Sequence, residues 1–157
     1  MGIRATQFAA ILLTALALVP VGAHLLELAA KISLDRAEYL TVQQLYRGWA
    51  SLGAVLVAAM LANLILAFRS RSQAVPMLLA GASALLLAVT LAVFFTWTFP
   101  VNQATANWTA APADWEGLRA RWEYSHAANA VLTFPALLAS VAASLGWSAP
   151  SSLPPGP

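Results

Sequence analysis

Four stretches of this chain each run for about twenty or more residues with almost no charge, the length needed for a helix to cross a hydrocarbon layer about 30 Å thick. They extend from about Thr6 to Ala30, from Trp49 to Phe68, from Val75 to Phe99 and from about Trp122 to Trp147. All four are continuous and rich in Ala and Leu, without the period-two alternation of a membrane strand, so helices are the expected form. The composition agrees: 61% of the 157 residues are hydrophobic and 9% charged, against about a quarter charged in soluble domains. The expected fold is therefore all-α, an integral membrane four-helix up-down bundle at residues 1–147. A disordered tail, SAPSSLPPGP, is expected at 148–157.

Local signals set the boundaries. Asp35 or Ser33 can cap an amphipathic stretch, SLDRAEYLTVQQLYRG, which is expected to form a short interfacial helix between the first two spans. Arg69 and Arg71 close the second span, Pro76 suits the first turn of the third, and Pro100 is expected to stop it. Asp114 is the expected N-cap of the fourth. Pro20 and Pro135 fall inside spans and should kink them. Trp97, Trp115 and Trp122 are placed for an interfacial aromatic belt, with Trp108 a further interface anchor. The N-terminal run has a small-residue stretch at Val21–Ala23, as a cleaved leader would. It continues to Ala30, however, and is read as a span.

With eight Lys and Arg against six acids, and no basic run or face, the chain has nothing to track a nucleic-acid backbone. The absence of cysteine excludes disulfides, Cys-zinc sites and iron–sulfur clusters. Short Arg69–Arg71 connects the second and third spans, and by the positive-inside rule it sets both termini in the cytoplasm. A raw count of Lys31, Arg36, Arg47, Arg119 and Arg121 favours the other face, but several of these are site candidates.

The unusual polar residues gather at the span ends that an up-down bundle brings to one face. At 100° per residue, His24, Glu27 and Lys31 share an arc of about 60° on the first helix, and Arg119, Trp122, His126, Asn129 and Thr133 an arc of about 80° on the fourth. Gln43, Gln44, Tyr46 and Arg47 precede the second span, and Asn102 and Gln103 follow the third. An ionisable group costs roughly 2.5–3.5 kcal/mol in a bilayer even on lenient scales. His24 and Glu27 should therefore face inward and meet Arg119, His126 or Asn129 across a partly dry pocket. Phe94, Phe95, Trp97 and Trp122 would wall it, which suits a flat apolar or aromatic ligand. Glu27, Gln43, Trp97, Trp122 and Asn129 are the candidate substrate contacts. Arg47, Arg121 and Glu123 are read as solvated or snorkelling charges. No cofactor is expected, although His24, Glu27 and His126 match the inventory of a non-haem iron triad, and His24 with His126 could hold a haem.

The segments HLLELAAK, QQLYRGW, FPVNQATANW and WEGLRARWEYSHAAN together resemble the small four-helix membrane proteins grouped with fungal anthrone oxygenases. Asn102, Trp108, Leu118, Arg119, Arg121, Trp122 and His126 carry the most specific part of the likeness. The resemblance implies a four-span fold and oxygenation of an anthrone to an anthraquinone without metal or flavin. In such a reaction His126 or His24 would remove an acidic proton, and Arg119 and Asn102 would stabilise the enolate that reacts with oxygen. The alternative is a non-catalytic membrane protein that binds a hydrophobic small molecule, lipid or partner subunit, with the same residues in structural pairs.

Overall fold

The computed structural model describes residues 2–148, whose regular structure is all helical, with no strand among them. Of the expected tail only Ser148 falls inside this range, and residues 149–157 lie outside the described residues. Helix α1 is Ile3–Lys31, α2 is Arg36–Gln43, α3 is Gly53–Arg69, α4 is Ala74–Val93, α5 is Phe99–Ala104 and α6 is Trp115–Leu145. Counting the turns continuous with them, four helical segments are long and apolar enough to cross a membrane: Ile3–Lys31, Trp49–Arg69, Ala74–Ala104 and Trp115–Leu145.

Each long helix lies against two others, α1 and α4 each touching both α3 and α6. Gln7 meets Ser144 while His24 meets His126, so α1 and α6 run in opposite directions. Asn63 meets Thr14 while Trp49 meets His24, which gives the same relation for α1 and α3. The buried face of these helices is built mainly from Ala, Ser and Thr, whereas Phe8, Leu26, Phe68, Val75, Leu85 and Val131 point outward. Small residues inside let the backbones approach closely and gain dispersion contacts.

The connections have identifiable causes. Asp35 caps α2 with a full capping box, its carboxylate accepting from the Glu38 backbone N–H at 2.9 Å while Glu38 accepts from the Asp35 N–H at 3.3 Å. This satisfies two of the orphan donors at a helix start. Gly48 has φ 90°, a left-handed conformation that other side chains adopt with strain, and it joins the turn ending at Tyr46 to the one beginning at Trp49. Asp114 stands at the N-cap of α6, but its side chain makes no cap hydrogen bond. Helix α6 starts at Trp115, a turn or more before the expected Trp122, and α1 and α6 continue through Pro20 and Pro135.

Pro100 does not stop the third span. Between α4 and α5, Phe94–Thr98 forms a π-helical turn, and Pro100 follows inside the continuing helix. A proline has no N–H and its ring crowds the carbonyl four residues back, here that of Thr96. The wider turn makes room, and the Thr96 carbonyl accepts from Arg121 Nη2 of α6 at 3.0 Å. Arg121, read from the sequence as a solvated charge, therefore also ties α6 to the π turn.

Candidate functional site

Where α1 ends and α6 begins, the buried surface changes from small residues to aromatic rings and ionisable groups. Tyr39 of α2, Val101 of α5, Trp108 of the following loop and Trp122 of α6 form one buried cluster. Trp108 reaches it through an unusual loop in which Ala106, Asn107 and Trp108 have φ of 47°, 55° and 61°. Consecutive left-handed non-glycine residues are strained. The loop is held by Asn107 N–H donating to Asn102 O at 2.7 Å and Trp108 N–H to Thr105 Oγ1 at 3.1 Å. Trp108 and Trp122 are 2% and 5% exposed, so both are core residues and not the interface anchors or belt expected of them.

Lys31 occupies the centre. Its Nζ, on a side chain 3% exposed, lies 2.8 Å from His24 Nδ1, 3.0 Å from Glu123 Oε2 and 3.5 Å from Glu27 Oε2. A lysine ammonium only donates, so His24 Nδ1 accepts and its ring carries the proton on Nε2. Glu123 is fully buried and accepts a second bond from Tyr39 Oη at 3.0 Å. Tyr46 donates to Glu27, whose own side chain is 45% exposed. The Lys31 charge also sits over the rings of Tyr46, at 4.9 Å, and Trp122, at 5.5 Å. Burial first, and then the charge of the Glu123 carboxylate and the hydrogen bond to it, raises the Tyr39 phenol well above the usual tyrosine range. Burial and the bond to Glu27 do the same for Tyr46.

The two histidines share this interior. Their ring centroids are 4.4 Å apart, and Trp122 packs on both, 4.8 Å from His24 and 4.2 Å from His126. Both ring nitrogens of His126 are buried with no hydrogen-bond partner among the described residues. Trp122 Nε1 donates to Asn102 Oδ1 at 2.8 Å, so that amide oxygen is already engaged. Asn129 is buried with its Oδ1 unpartnered, and Gln43 is buried with Nε2 unpartnered.

Other expected members lie elsewhere. Arg119 does not meet His24 or Glu27: it donates to Leu34 O at 2.6 Å and stacks its guanidinium over Trp115, 4.5 Å away. It sits two helical turns, roughly 10 Å, from His126 along α6. Phe95 and Trp97 are 61% and 47% exposed and wall no interior pocket. Trp97 instead lines an open groove of about 370 Å³ with Val93, Ala120, Arg121, Tyr124, Ser125 and Ala128. At 100° per residue, these α6 positions occupy the face opposite His126.

The sequence reading missed Glu123, taken for a solvated charge, and Tyr39. It placed Lys31 on the correct arc without making it the hub. Glu123 lies only about 40° from Arg119 around the helix, which was a usable signal. Among the described residues no group of three His, Cys, Asp or Glu side chains is arranged to hold a metal ion. The Lys31 ammonium takes the position between the carboxylates and His24 that an iron triad would need. For a haem, the two imidazoles stand ring against ring at 4.4 Å, too close to admit a macrocycle between them. Compared with known protein families, curated proteins and solved structures, the chain matches none.

Proposed function

We propose that the chain is a multi-pass membrane protein whose four long helices cross the bilayer as an up-down bundle, with α2 at the interface and both termini in the cytoplasm. Its outward large apolar side chains and small interior residues support this reading, since lipid covers the former and close helix contact needs the latter. Within the bundle, the cluster around His24 and His126 is a proton-abstracting site for a small aromatic carbon acid, oxygenated as in the anthrone oxygenases this sequence resembles. The observation that carries the proposal is His126, an interior imidazole with both nitrogens unpartnered beside a second, hydrogen-bonded histidine.

In this scheme His126 removes a proton from the ring methylene, and the enolate forms beside the Lys31 ammonium. Lys31 takes the role first given to Arg119, which is committed to Leu34 O. The electron-rich carbanion adds dioxygen, and loss of water from the hydroperoxide leaves the ketone, so that one methylene and one O2 become one carbonyl and one water. Tyr46, on the turn before Gly48, is the ring that moves to admit substrate past half-exposed Glu27. Purified protein given an anthrone and oxygen should consume one O2 per quinone formed. His126→Ala should slow this by about 10²–10⁴-fold, the range for general-base loss. Absence of turnover overturns the reading.

A second reading follows from the groove beside Trp97. A non-catalytic protein would hold a lipid or other apolar molecule there, and the Lys31 cluster would be a structural tie between α1, α2 and α6. Binding of a fluorescent apolar probe that is reduced by Trp97→Ala and indifferent to His126→Ala would favour it.

A further inference from the structure

A second group of buried polar residues lies well away from the Lys31 cluster, towards the end of the long helices where Gln7 meets Ser144. One core layer consists of Ala10, Ala62, Leu66, Ala80 and Ala143, and another of Ala17, Ala59, Leu87 and Ala136. Between them each long helix contributes one polar residue, Thr14 from α1, Asn63 from α3, Ser83 from α4 and Ser140 from α6. Each is about one helical turn from its neighbours in the flanking layers, so the four share a level. All four are 0% exposed.

Their hydrogen bonds are incomplete in a specific way. Thr14 Oγ1 donates to Ala10 O at 2.7 Å and accepts from Asn63 Nδ2 at 3.0 Å, while Asn63 Nδ2 also donates to Ala59 O at 2.9 Å. Thr14 and the Asn63 NH₂ are thereby satisfied. The Asn63 carbonyl oxygen and the hydroxyls of Ser83 and Ser140 have no partner among the described residues. Three unpaired polar groups in an otherwise apolar layer would each cost about 1–3 kcal/mol.

We propose that this layer is a binding site for an internal water molecule held jointly by α3, α4 and α6. A water donates to Asn63 Oδ1 and to one serine oxygen and accepts from the other serine, which makes the three hydrogen bonds typical of buried water. A cation fits less well. The donors are neutral, and the carboxylates of Glu27 and Glu123 lie roughly 20 Å or more away along α1 and α6. This site is independent of the chemistry proposed at His126.

The test is infrared spectroscopy of the purified protein in lipid, comparing normal and ¹⁸O-labelled water. An ¹⁸O-sensitive band from a slowly exchanging internal water is expected in the wild type. It should be lost in the S83A/S140A double variant, whose small substitutions preserve the helices, and retained in His126→Ala. A wild type without such a band overturns the proposal, as does a band unchanged in the double variant. A Tm that rises when Na⁺ or Li⁺ replaces choline, and does so only with both serines present, identifies a cation instead and also overturns it.

Discussion

The two ends of the helical assembly are joined by different chemistry. At one, Lys31 of α1 is buried between His24, Glu27 and Glu123, and Tyr39 of α2 completes the Glu123 carboxylate. At the other, the hydrogen bonds between elements come from neutral amides, beside an Arg4 guanidinium 5.7 Å from the centre of the Trp147 ring. Gln7 donates to Ser144 O at 3.4 Å, and Gln73 exchanges two bonds with the Ser148 backbone, at 2.6 and 3.0 Å. Arg69 and Arg71 are exposed there. Removing one member of a buried charged set leaves its partners uncompensated, whereas the exposed Gln73 amide contact is replaced by water at little cost, and loss of the buried but neutral Gln7 amide leaves no charge unpaired. The first end therefore fixes which groups face each other, and the second only fastens what is already placed.

The sharpest way to break the contrast is at Glu123. Glu123→Ala leaves the Lys31 ammonium buried with only half-exposed Glu27 as counter-charge, and should cost about 3–5 kcal/mol in unfolding measured in detergent. A joint Lys31→Met, Glu123→Leu replacement should recover most of that loss, because an apolar pair of similar volume removes both charges. Tyr39→Phe should cost about 1.5–3 kcal/mol, the range for a hydrogen bond to a charged group.

The same tyrosine sharpens the comparison through pH. Its folded pKa lies above that of the unfolded chain, so its contribution is fully present below about pH 10 and declines as pH rises beyond it. Tyr46 acts in the same direction. Phenolate absorbance from these residues should appear together with loss of helical circular dichroism, and Tyr39→Phe should make the alkaline fall in stability shallower. At the opposite end Gln73→Ala should change stability by no more than about 0.5 kcal/mol. A large effect there would remove the distinction between the two ends.

The four long helices were legible because hydrocarbon length and residue polarity set them directly. The arcs holding His24, Lys31, Trp122 and His126 were legible because a helix keeps its phase over two or three turns. The errors arise where phase or partner is decided by tertiary structure. Along α4 and α5 the buried positions run Leu87, Thr90 and Val93, then Thr98 and Val101. The five-residue step across the π turn turns Trp97 outward, and no propensity scale marks that step. Glu123 sits among Arg119, Arg121 and Trp122, so its own surroundings read as solvated. Its burial depends on Lys31, far away in the chain. Tyr39 was obscured by the short, mixed pattern of α2, and Arg119 was diverted by the Leu34 carbonyl, a backbone acceptor that side-chain patterns do not reveal.

The predominance of Ala, Ser and Thr on the inner faces has one more consequence. The architecture is encoded chiefly by its lightest side chains, which are defined by what they leave room for. Exchange of one bulky outer residue for another changes only what meets the surroundings. An isobutyl side chain in place of the methyl at Ala59 or Ala136, both fully buried, would wedge two helices apart, so the inner positions of this chain should resist added volume where a domain with a bulky centre chiefly resists its loss.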